Sequence, residues 1–278
     1  KSFPVVCRDH APPIHMQIKK VGVVGCGLMG HGIVQVAAQG GCEVIALESE
    51  QAFLDKGLAR VDKSLAKLAS KNVEKGKMDQ ATAEAWVTEV RGRISGTTDR
   101  SGVADCDLVV EAIVENLDVK KELFASLGEI CKPETVFASN TSSFPIGEMA
   151  TASGRPSRFV GLHFFNPVQL MRLVEVVRTD DTDDDVFEAS KAFGAACGKT
   201  PVSCKDTPGF VVNRLLFPFL FDAVRLLDEL DLEPIEVDTC WDAIEQHVAA
   251  VPGLCNHSVC TIDGVERGTE RHQAVVMP

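Results

Sequence analysis

The segment KVGVVGCGLMG, residues 20–30, decides the fold of this chain. Its first half is apolar and rich in valine, which is typical of a buried parallel strand. Gly25, Gly27 and Gly30 follow in the pattern G-x-G-x-x-G, and a helix is predicted over residues 28–39. The glycine pattern alone is a weak signal, but between a strand and a helix it predicts a dinucleotide-binding turn.

Each position of this turn has a physical role. Gly25 permits the tight turn, Gly27 lets a pyrophosphate approach the backbone, and Gly30 lets the helix pack closely on the strand. The free N–H groups at the helix N-terminus then hold the pyrophosphate. Leu28 and Met29 lie at that N-terminus and complete the predicted pyrophosphate site.

Glu48 follows the next predicted strand, residues 44–47, and stands 23 residues after Gly25. Its carboxylate should accept hydrogen bonds from the adenosine ribose hydroxyls. The same charge would repel a 2′-phosphate, and Glu50 adds to that repulsion with no arginine nearby in the sequence. We therefore predict NAD as the cofactor, in preference to NADP.

Strands and helices alternate beyond this point. Helices are predicted at residues 51–70, 81–90, 117–130 and 186–197, and strands at residues 108–113, 136–139, 159–163 and 173–177. This order predicts an α/β fold with a doubly wound, mostly parallel Rossmann sheet. After Thr207-Pro208-Gly209, one long helix over residues 210–228 begins a smaller, all-helical domain.

The composition excludes several functional classes. The net charge of −12 argues against nucleic acid as a partner, because phosphate-backbone binding needs a basic face. No apolar run approaches the roughly 18 residues needed to cross a bilayer, so we expect a soluble protein without a membrane partner.

The ten cysteines form no C-x-x-C pair, and a chain of this length does not need disulfide bonds for stability. We therefore expect a reducing intracellular compartment, either the mitochondrial matrix or the cytoplasm. The C-terminal cluster of cysteine and histidine matches no zinc-finger spacing, so no metal is predicted. Its members are Cys240, His247, Cys255, His257 and Cys260.

The chain contains no tyrosine, which excludes the tyrosine–lysine chemistry of short-chain dehydrogenases. A base for a hydroxyl proton must then be His, Glu, Asp or Lys. Glu175 lies within an apolar strand, LVEVV, where an ionised carboxylate is costly unless it is paired. His163 is the obvious partner, since a carboxylate would fix its tautomer and raise its basicity. In the alternative interpretation, Glu175 faces water on an edge strand and His163 is structural.

Five separated motifs resemble the L-3-hydroxyacyl-CoA dehydrogenase family, which includes the 3-hydroxybutyryl-CoA dehydrogenases. In chain order they are GxGLMG, DLVVEAIVENL, FASNTSS, GLHFFNP and CKDTPGFVVNRLL. The resemblance covers residues 19–228. It implies NAD-dependent, reversible oxidation of an L-3-hydroxyacyl-CoA to the 3-ketoacyl-CoA in fatty-acid or short-chain acyl-CoA metabolism.

The same resemblance assigns roles to individual residues. His163 would be the general base and Glu175 its orienting partner, while Ser142 and Asn213 would hydrogen-bond the reacting oxygen or the thioester carbonyl. The residues implied to contact the nicotinamide half of NAD are Glu115, Lys120 and Asn166, and Ser142 is also implied to contact the cofactor. Those implied to contact the acyl-CoA are Ser64, Lys71 and again Ser142; the seven-residue spacing of Ser64 and Lys71 puts them on one helix face.

The chain departs from the family pattern after about Trp241, where the family's PMGP turn is absent. We therefore predict an incomplete helical domain, so that the homodimer expected for the family becomes doubtful here. The predicted organisation is an N-terminal extension (1–17), an NAD-binding Rossmann domain (18–205), a partial helical substrate and dimerisation domain (206–250) and an unmatched tail (251–278).

Two further functions stay open on the sequence. An NAD-binding family member with impaired or no catalysis would fit the incomplete C-terminal domain. An oxidoreductase for a hydroxy acid without CoA would fit the NAD site, although Ser64 and Lys71 argue against it.

Overall fold

The computed structural model describes residues 16–230, with the side chains of all of them except Leu227 and Asp228. Most of the predicted N-terminal extension, residues 231–250 of the predicted helical domain and the whole predicted tail lie outside the described residues. So does the C-terminal cysteine and histidine cluster. The chain divides into two compact units, residues 1–214 and 215–278.

The first unit is built on a sheet of eight strands. They are β1 (Lys20–Val24), β2 (Glu43–Leu47), β3 (Ile94–Thr97), β4 (Leu108–Glu111), β5 (Val136–Ser139), β6 (Phe159–Phe164), β7 (Leu173–Arg178) and β8 (Thr200–Lys205). The spatial order is β3-β2-β1-β4-β5-β6-β7-β8. Every neighbouring pair is parallel except β6 and β7, which are antiparallel. The predicted mostly parallel Rossmann sheet is confirmed.

The described helices follow the same alternation. They are α1 (Gly30–Gln39), α2 (Gln51–Glu74), α3 (Gln80–Gly92), α4 (Leu117–Ile130), α5 (Ile146–Ala152), α6 (Asp184–Ala196) and α7 (Val212–Leu230). Two apolar clusters cover the two faces of the sheet. One packs α1, α2, α3 and α6 against the sheet, and the other packs α4 and α5 against its opposite face. In the second cluster, the rings of Phe124 and Phe159 meet edge to face, with centroids 4.6 Å apart.

Helix α7 begins at Val212, two residues later than predicted. The reason is the backbone just before it, where Gly209 and Phe210 both have positive φ, +76° and +47°. A residue in that conformation cannot continue a right-handed helix. In the second unit, α7 continues to Leu230, and its apolar side chains include the exposed Leu215 and Phe221. Among the described residues, no helix is long and apolar enough to cross a membrane.

Candidate active site

The site lies at the carboxyl ends of the parallel strands, where the sheet reverses its direction of winding between β1 and β4. Gly25 follows β1, Glu48 follows β2, and Asn140 follows β5. His163 lies near the end of β6. The sheet therefore brings residues from four distant chain segments to one edge.

The glycine turn has little space for side chains except at one position. A Cβ on Gly25 would lie 2.6 Å from the carbonyl oxygen of Ala112, and a Cβ on Gly30 would overlap the carbonyl oxygen of Gly25. A Cβ on Gly27 would meet nothing within 4 Å. Gly27 is also exposed, as is Leu28, while Met29 is half-buried. The open side of the turn therefore lies at Gly27, where a pyrophosphate could approach the backbone.

Glu48 is held against this turn. Its carboxylate accepts a hydrogen bond from the Cys26 N–H at 2.6 Å and one from the Ser49 N–H at 3.2 Å. Burial and the charge of Glu48 raise the pKa of the Cys26 thiol to about 11, while Arg60 on α2 acts in the opposite direction. Arg60 therefore lies within electrostatic range of the Cys26 thiol, at this end of the site. The fixed carboxylate still opposes a 2′-phosphate.

The strand pairing brings His163 and Glu175 together. Strands β6 and β7 are antiparallel, and their register sets His163 directly opposite Glu175. Residues opposed in this way carry Cβ atoms about 4.5–5.5 Å apart, which suits a hydrogen bond between their side chains. Nδ1 of His163 lies 2.8 Å from Oε2 of Glu175, and both residues are buried. Strand β8 flanks β7, so the interpretation of Glu175 as a solvated edge residue is wrong.

The other oxygen of Glu175 is held by the backbone that leads into α7. Oε1 accepts hydrogen bonds from the Val211 N–H at 3.0 Å and the Val212 N–H at 2.8 Å. Burial acts to raise the pKa of Glu175, but the hydrogen bonds from His163, Val212 and Val211 outweigh it and hold the pKa below its ordinary value. Glu175 is therefore a fixed carboxylate with a donor on each oxygen.

Aromatic rings and a tethered loop surround the imidazole. The ring centroids of Phe165 and Phe210 lie 4.5 Å and 5.7 Å from that of His163. The loop after β5 is fixed by Asn140, whose Oδ1 accepts a hydrogen bond from the Phe164 N–H at 2.9 Å. The sequence analysis gave Asn140 no role, although a polar residue directly after the predicted strand at residues 136–139 is a signal that marks it.

Ser142 and Asn213 also meet, although they are far apart in the chain. Nδ2 of Asn213 lies 3.4 Å from the carbonyl oxygen of Ser142. The hydroxyl of Ser142 is 3.3 Å from that of Ser143, and its backbone N–H donates to Glu115 at 3.2 Å. Both predicted oxygen-binding residues thus lie in one part of the first unit.

A charged cluster, buried except at Glu115, lies at the ends of β4 and β5. We call it the Glu111 cluster; it consists of Glu111, Glu115, Lys120, Ser139 and Thr141. Nζ of Lys120 bridges the two carboxylates, at 2.5 Å from Glu111 and 3.1 Å from Glu115. The Ser139 hydroxyl donates to Glu111 at 2.6 Å, and the Thr141 hydroxyl donates to Glu115. Sequence reasoning missed Glu111, although its place in the apolar strand LVVE is the same signal that marked Glu175.

The remaining predicted residues lie apart from these contacts. Ser64 is half-buried and Lys71 exposed on α2, and Asn166 is exposed in the loop between β6 and β7. Within the described part of the chain, no hydrogen bond or ion pair joins their side chains to the dyad of His163 and Glu175. Their roles stay predictions.

Residues 20–207 match the family model described as the NAD-binding domain of 3-hydroxyacyl-CoA dehydrogenase. That match covers well over half of the chain. The chain belongs to the 3-hydroxyacyl-CoA dehydrogenase family. The predicted family is confirmed, and so is the predicted cofactor, NAD.

Individual family members agree over the same region. The chain is 51% identical over 219 residues to the "Probable 3-hydroxybutyryl-CoA dehydrogenase" of Deinococcus radiodurans, a match that covers 79% of this chain and 76% of that protein. It is 46% identical over 223 residues to the human mitochondrial hydroxyacyl-coenzyme A dehydrogenase, covering 80% and 70%. The crystal structure of the (S)-3-hydroxybutyryl-CoA dehydrogenase of Ralstonia eutropha superposes with a TM-score of 0.73 at 38% identity, covering 79% and 75%.

Proposed function

We propose that this family member catalyses the reversible, NAD-dependent oxidation of an L-3-hydroxyacyl-CoA to the corresponding 3-ketoacyl-CoA. The observation that carries the proposal is the pairing of His163 with Glu175 at the carboxyl edge of a dinucleotide-binding sheet. A buried carboxylate that holds one imidazole nitrogen leaves the other free for proton transfer.

The path of the proton follows from this arrangement. Oε2 of Glu175 accepts the hydrogen on Nδ1 of His163, so Nε2 carries a lone pair. Nε2 removes the proton of the substrate hydroxyl as its C–O bond becomes a carbonyl. The hydride leaves C3 at the same time, and NAD, when bound, supplies the carbon that accepts it. In the reverse direction the imidazolium returns the proton to the alkoxide oxygen.

Ser142 and Asn213 are the residues proposed to bind the substrate oxygen. Both carry hydrogen-bonding side chains and lie against each other through the contact of Nδ2 with the Ser142 carbonyl oxygen. We assign them to the reacting oxygen or the thioester carbonyl, where a hydrogen-bond donor stabilises developing negative charge. The Glu111 cluster fixes the backbone of Ser142 from the other side through Glu115.

The CoA moiety is assigned to Ser64 and Lys71 on α2. Their spacing places both on one face of the helix, beside the buried stripe that contains Leu54, Val61 and Leu65. Among the described residues Lys71 makes no ion pair, which leaves its ammonium available for a phosphate. Phosphate binding by one exposed lysine changes affinity more than chemistry, so these residues should affect KM.

The experiment follows NADH absorbance with two 3-ketoacyl substrates, acetoacetyl-CoA and the N-acetylcysteamine thioester of acetoacetate, which lacks the nucleotide. We expect turnover of both, and Lys71→Ala should raise KM roughly three- to ten-fold for acetoacetyl-CoA only. Equal KM values for the two substrates in the unmodified chain would favour a hydroxy-acid dehydrogenase without CoA. Absence of turnover in a folded, NADH-binding sample would instead favour the NAD-binding member without catalysis.

A further inference from the structure

Glu111 is a carboxylate that the proposed reaction does not use. It is the last residue of β4 and is fully buried. Three donors surround it: Nζ of Lys120 at 2.5 Å, the Ile113 N–H at 2.8 Å and the Ser139 hydroxyl at 2.6 Å. A buried carboxylate is costly unless it is hydrogen-bonded and paired with a cation, and Glu111 is both.

Lys120 connects Glu111 to the reacting region. Its side chain is 1% exposed, and its ammonium also contacts Glu115, whose side chain is 41% exposed. Glu115 in turn accepts from the Thr141 hydroxyl and the Ser142 N–H. The contacts therefore run without a gap from Glu111 to the backbone of Ser142. With two carboxylates and one ammonium, the Glu111 cluster carries a net charge of about −1.

The sheet places this charge beside one half of the cofactor. In a doubly wound fold, the two nucleotides of a dinucleotide lie on either side of the point where the winding reverses. Glu48 marks the predicted adenosine half at the end of β2, so the nicotinamide half would lie on the side of β4 and β5, where the Glu111 cluster is. The nicotinamide ring is positively charged when oxidised and neutral when reduced, so a fixed negative charge acts on only one redox form.

We propose that Glu111 is a positioning residue with an electrostatic function. It holds Lys120, and through it Glu115 and the Ser142 backbone, and it keeps the Glu111 cluster negative. The cluster then binds NAD+ more tightly, relative to NADH, than a neutral cluster would. By linkage, this shifts the equilibrium of the enzyme-bound reaction towards NAD+ and the hydroxyacyl substrate. The proposal deepens the proposed function without requiring turnover for its test.

The test measures the dissociation constants of NADH and NAD+ separately for the full chain, by NADH fluorescence and by competition. Glu111→Gln makes the cluster neutral. The ratio Kd(NAD+)/Kd(NADH) should rise roughly four- to fifteen-fold, as expected for one charge at about 10 Å and an effective dielectric constant of about 20–40. The control is Glu48→Gln, which should weaken both forms and leave the ratio unchanged, because the adenosine half has the same charge in both redox states.

A double variant separates charge from geometry. Glu111→Gln combined with Lys120→Met removes the buried pair and returns the cluster to about −1 through Glu115. Its ratio should return towards that of the unmodified chain, although both dissociation constants increase. A residue with a merely structural role would not show this recovery. If Glu111→Gln alone does not fold, Glu115→Gln makes the same charge change at a partly exposed position and should shift the ratio in the same direction.

Two results would overturn the proposal. The first is an unchanged ratio Kd(NAD+)/Kd(NADH) in a folded, NADH-binding Glu111→Gln variant. If that variant does not fold, an unchanged ratio in Glu115→Gln has the same meaning. The second is a double variant shifted as far as the single one. Failure of the unmodified chain to bind NADH at all would contradict the NAD-dependent function as well, so the two failures are distinguishable.

Discussion

Replacing Glu175 by glutamine changes the charge of the dyad of His163 and Glu175 but leaves its shape almost unchanged. The two oxygens of Glu175 have different partners: Oε1 accepts from the Val211 and Val212 N–H groups, and Oε2 pairs with Nδ1 of His163. A glutamine has one oxygen and one amino group, so it must choose which partner receives the oxygen. That choice sets the tautomer of the imidazole.

The glutamine oxygen should face the backbone N–H groups of Val211 and Val212. If the amide oxygen faced His163, two buried N–H groups would lose their acceptor, at a cost of about 1–3 kcal/mol each. The favoured arrangement therefore turns the amino group towards Nδ1 of His163, which must become an acceptor. The hydrogen then moves to Nε2, where the proposed base needs a lone pair. A preference of about 2–6 kcal/mol leaves the competent arrangement populated at about one part in 30 to one part in 10⁴.

The assay is kcat for NAD+ reduction by L-3-hydroxybutyryl-CoA, the direction in which His163 acts as the base, with NADH affinity and unfolding by urea as controls. We expect Glu175→Gln to reduce kcat between about 30-fold and 10⁴-fold with little change in NADH affinity. Glu175→Ala should unfold at a lower urea concentration than Glu175→Gln, because it leaves the N–H groups of Val211 and Val212 without an acceptor. Its kcat should nevertheless be no lower than that of Glu175→Gln. Glu188→Gln, an exposed change on α6, should behave like the unmodified chain. A Glu175→Gln variant that keeps more than about a tenth of the original kcat would refute the tautomer argument.

Three further predictions concern stability and reactivity. Because the pKa of Glu175 is lowered in the folded state, its contribution to the free energy of unfolding is present above the unfolded-state pKa of about 4.3 and is lost as the pH falls through the folded-state pKa. In urea unfolding between about pH 5 and about pH 3, the unmodified chain should therefore lose more stability than Glu175→Gln. Parallel losses in the two proteins would contradict this. Gly27→Ala should leave the midpoint of urea unfolding nearly unchanged and still weaken NADH binding. Gly30→Ala should destabilise the fold, because its Cβ would overlap the backbone of the preceding turn. Equal unfolding midpoints for the two variants would contradict this prediction. Burial raises the pKa of Cys26 to about 11 and that of Cys106 to about 12, so peptide mapping after iodoacetamide treatment should find both unmodified until urea is added, and rapid native alkylation would be inconsistent with their burial.

The strands and helices that the sequence predicted best are those whose patterns are unambiguous. The bounds of α4 and β5 agree with the prediction, because α4 has a long amphipathic pattern and β5 is a short apolar run. Strand β3 was not predicted, since only one of its four residues, Ile94, is buried. Helix α5 was not predicted either, because its seven residues are too few for a period to be visible.

The site was predictable to the extent that its residues break an apolar pattern. Glu175 could be recognised because a charge in a buried strand needs a partner, and Glu111 could have been recognised by the same argument. The antiparallel register that sets His163 opposite Glu175 could not, because it depends on the path of the loop between β6 and β7. The contact between Asn213 and Ser142 joins residues 71 positions apart, and no local pattern encodes it.

The central claim is that His163 is the base for the hydroxyl proton, and one substitution tests it most directly. His163→Asn keeps a side-chain donor that can face Glu175 but removes the titratable nitrogen. In a single-turnover experiment with bound NADH and excess acetoacetyl-CoA, we predict that NADH binds as before and that its oxidation slows by about 10²- to 10⁴-fold. An oxidation rate within about ten-fold of the unmodified chain would contradict the account, because general acid–base catalysis by His163 would then contribute less than about 1.4 kcal/mol to the barrier.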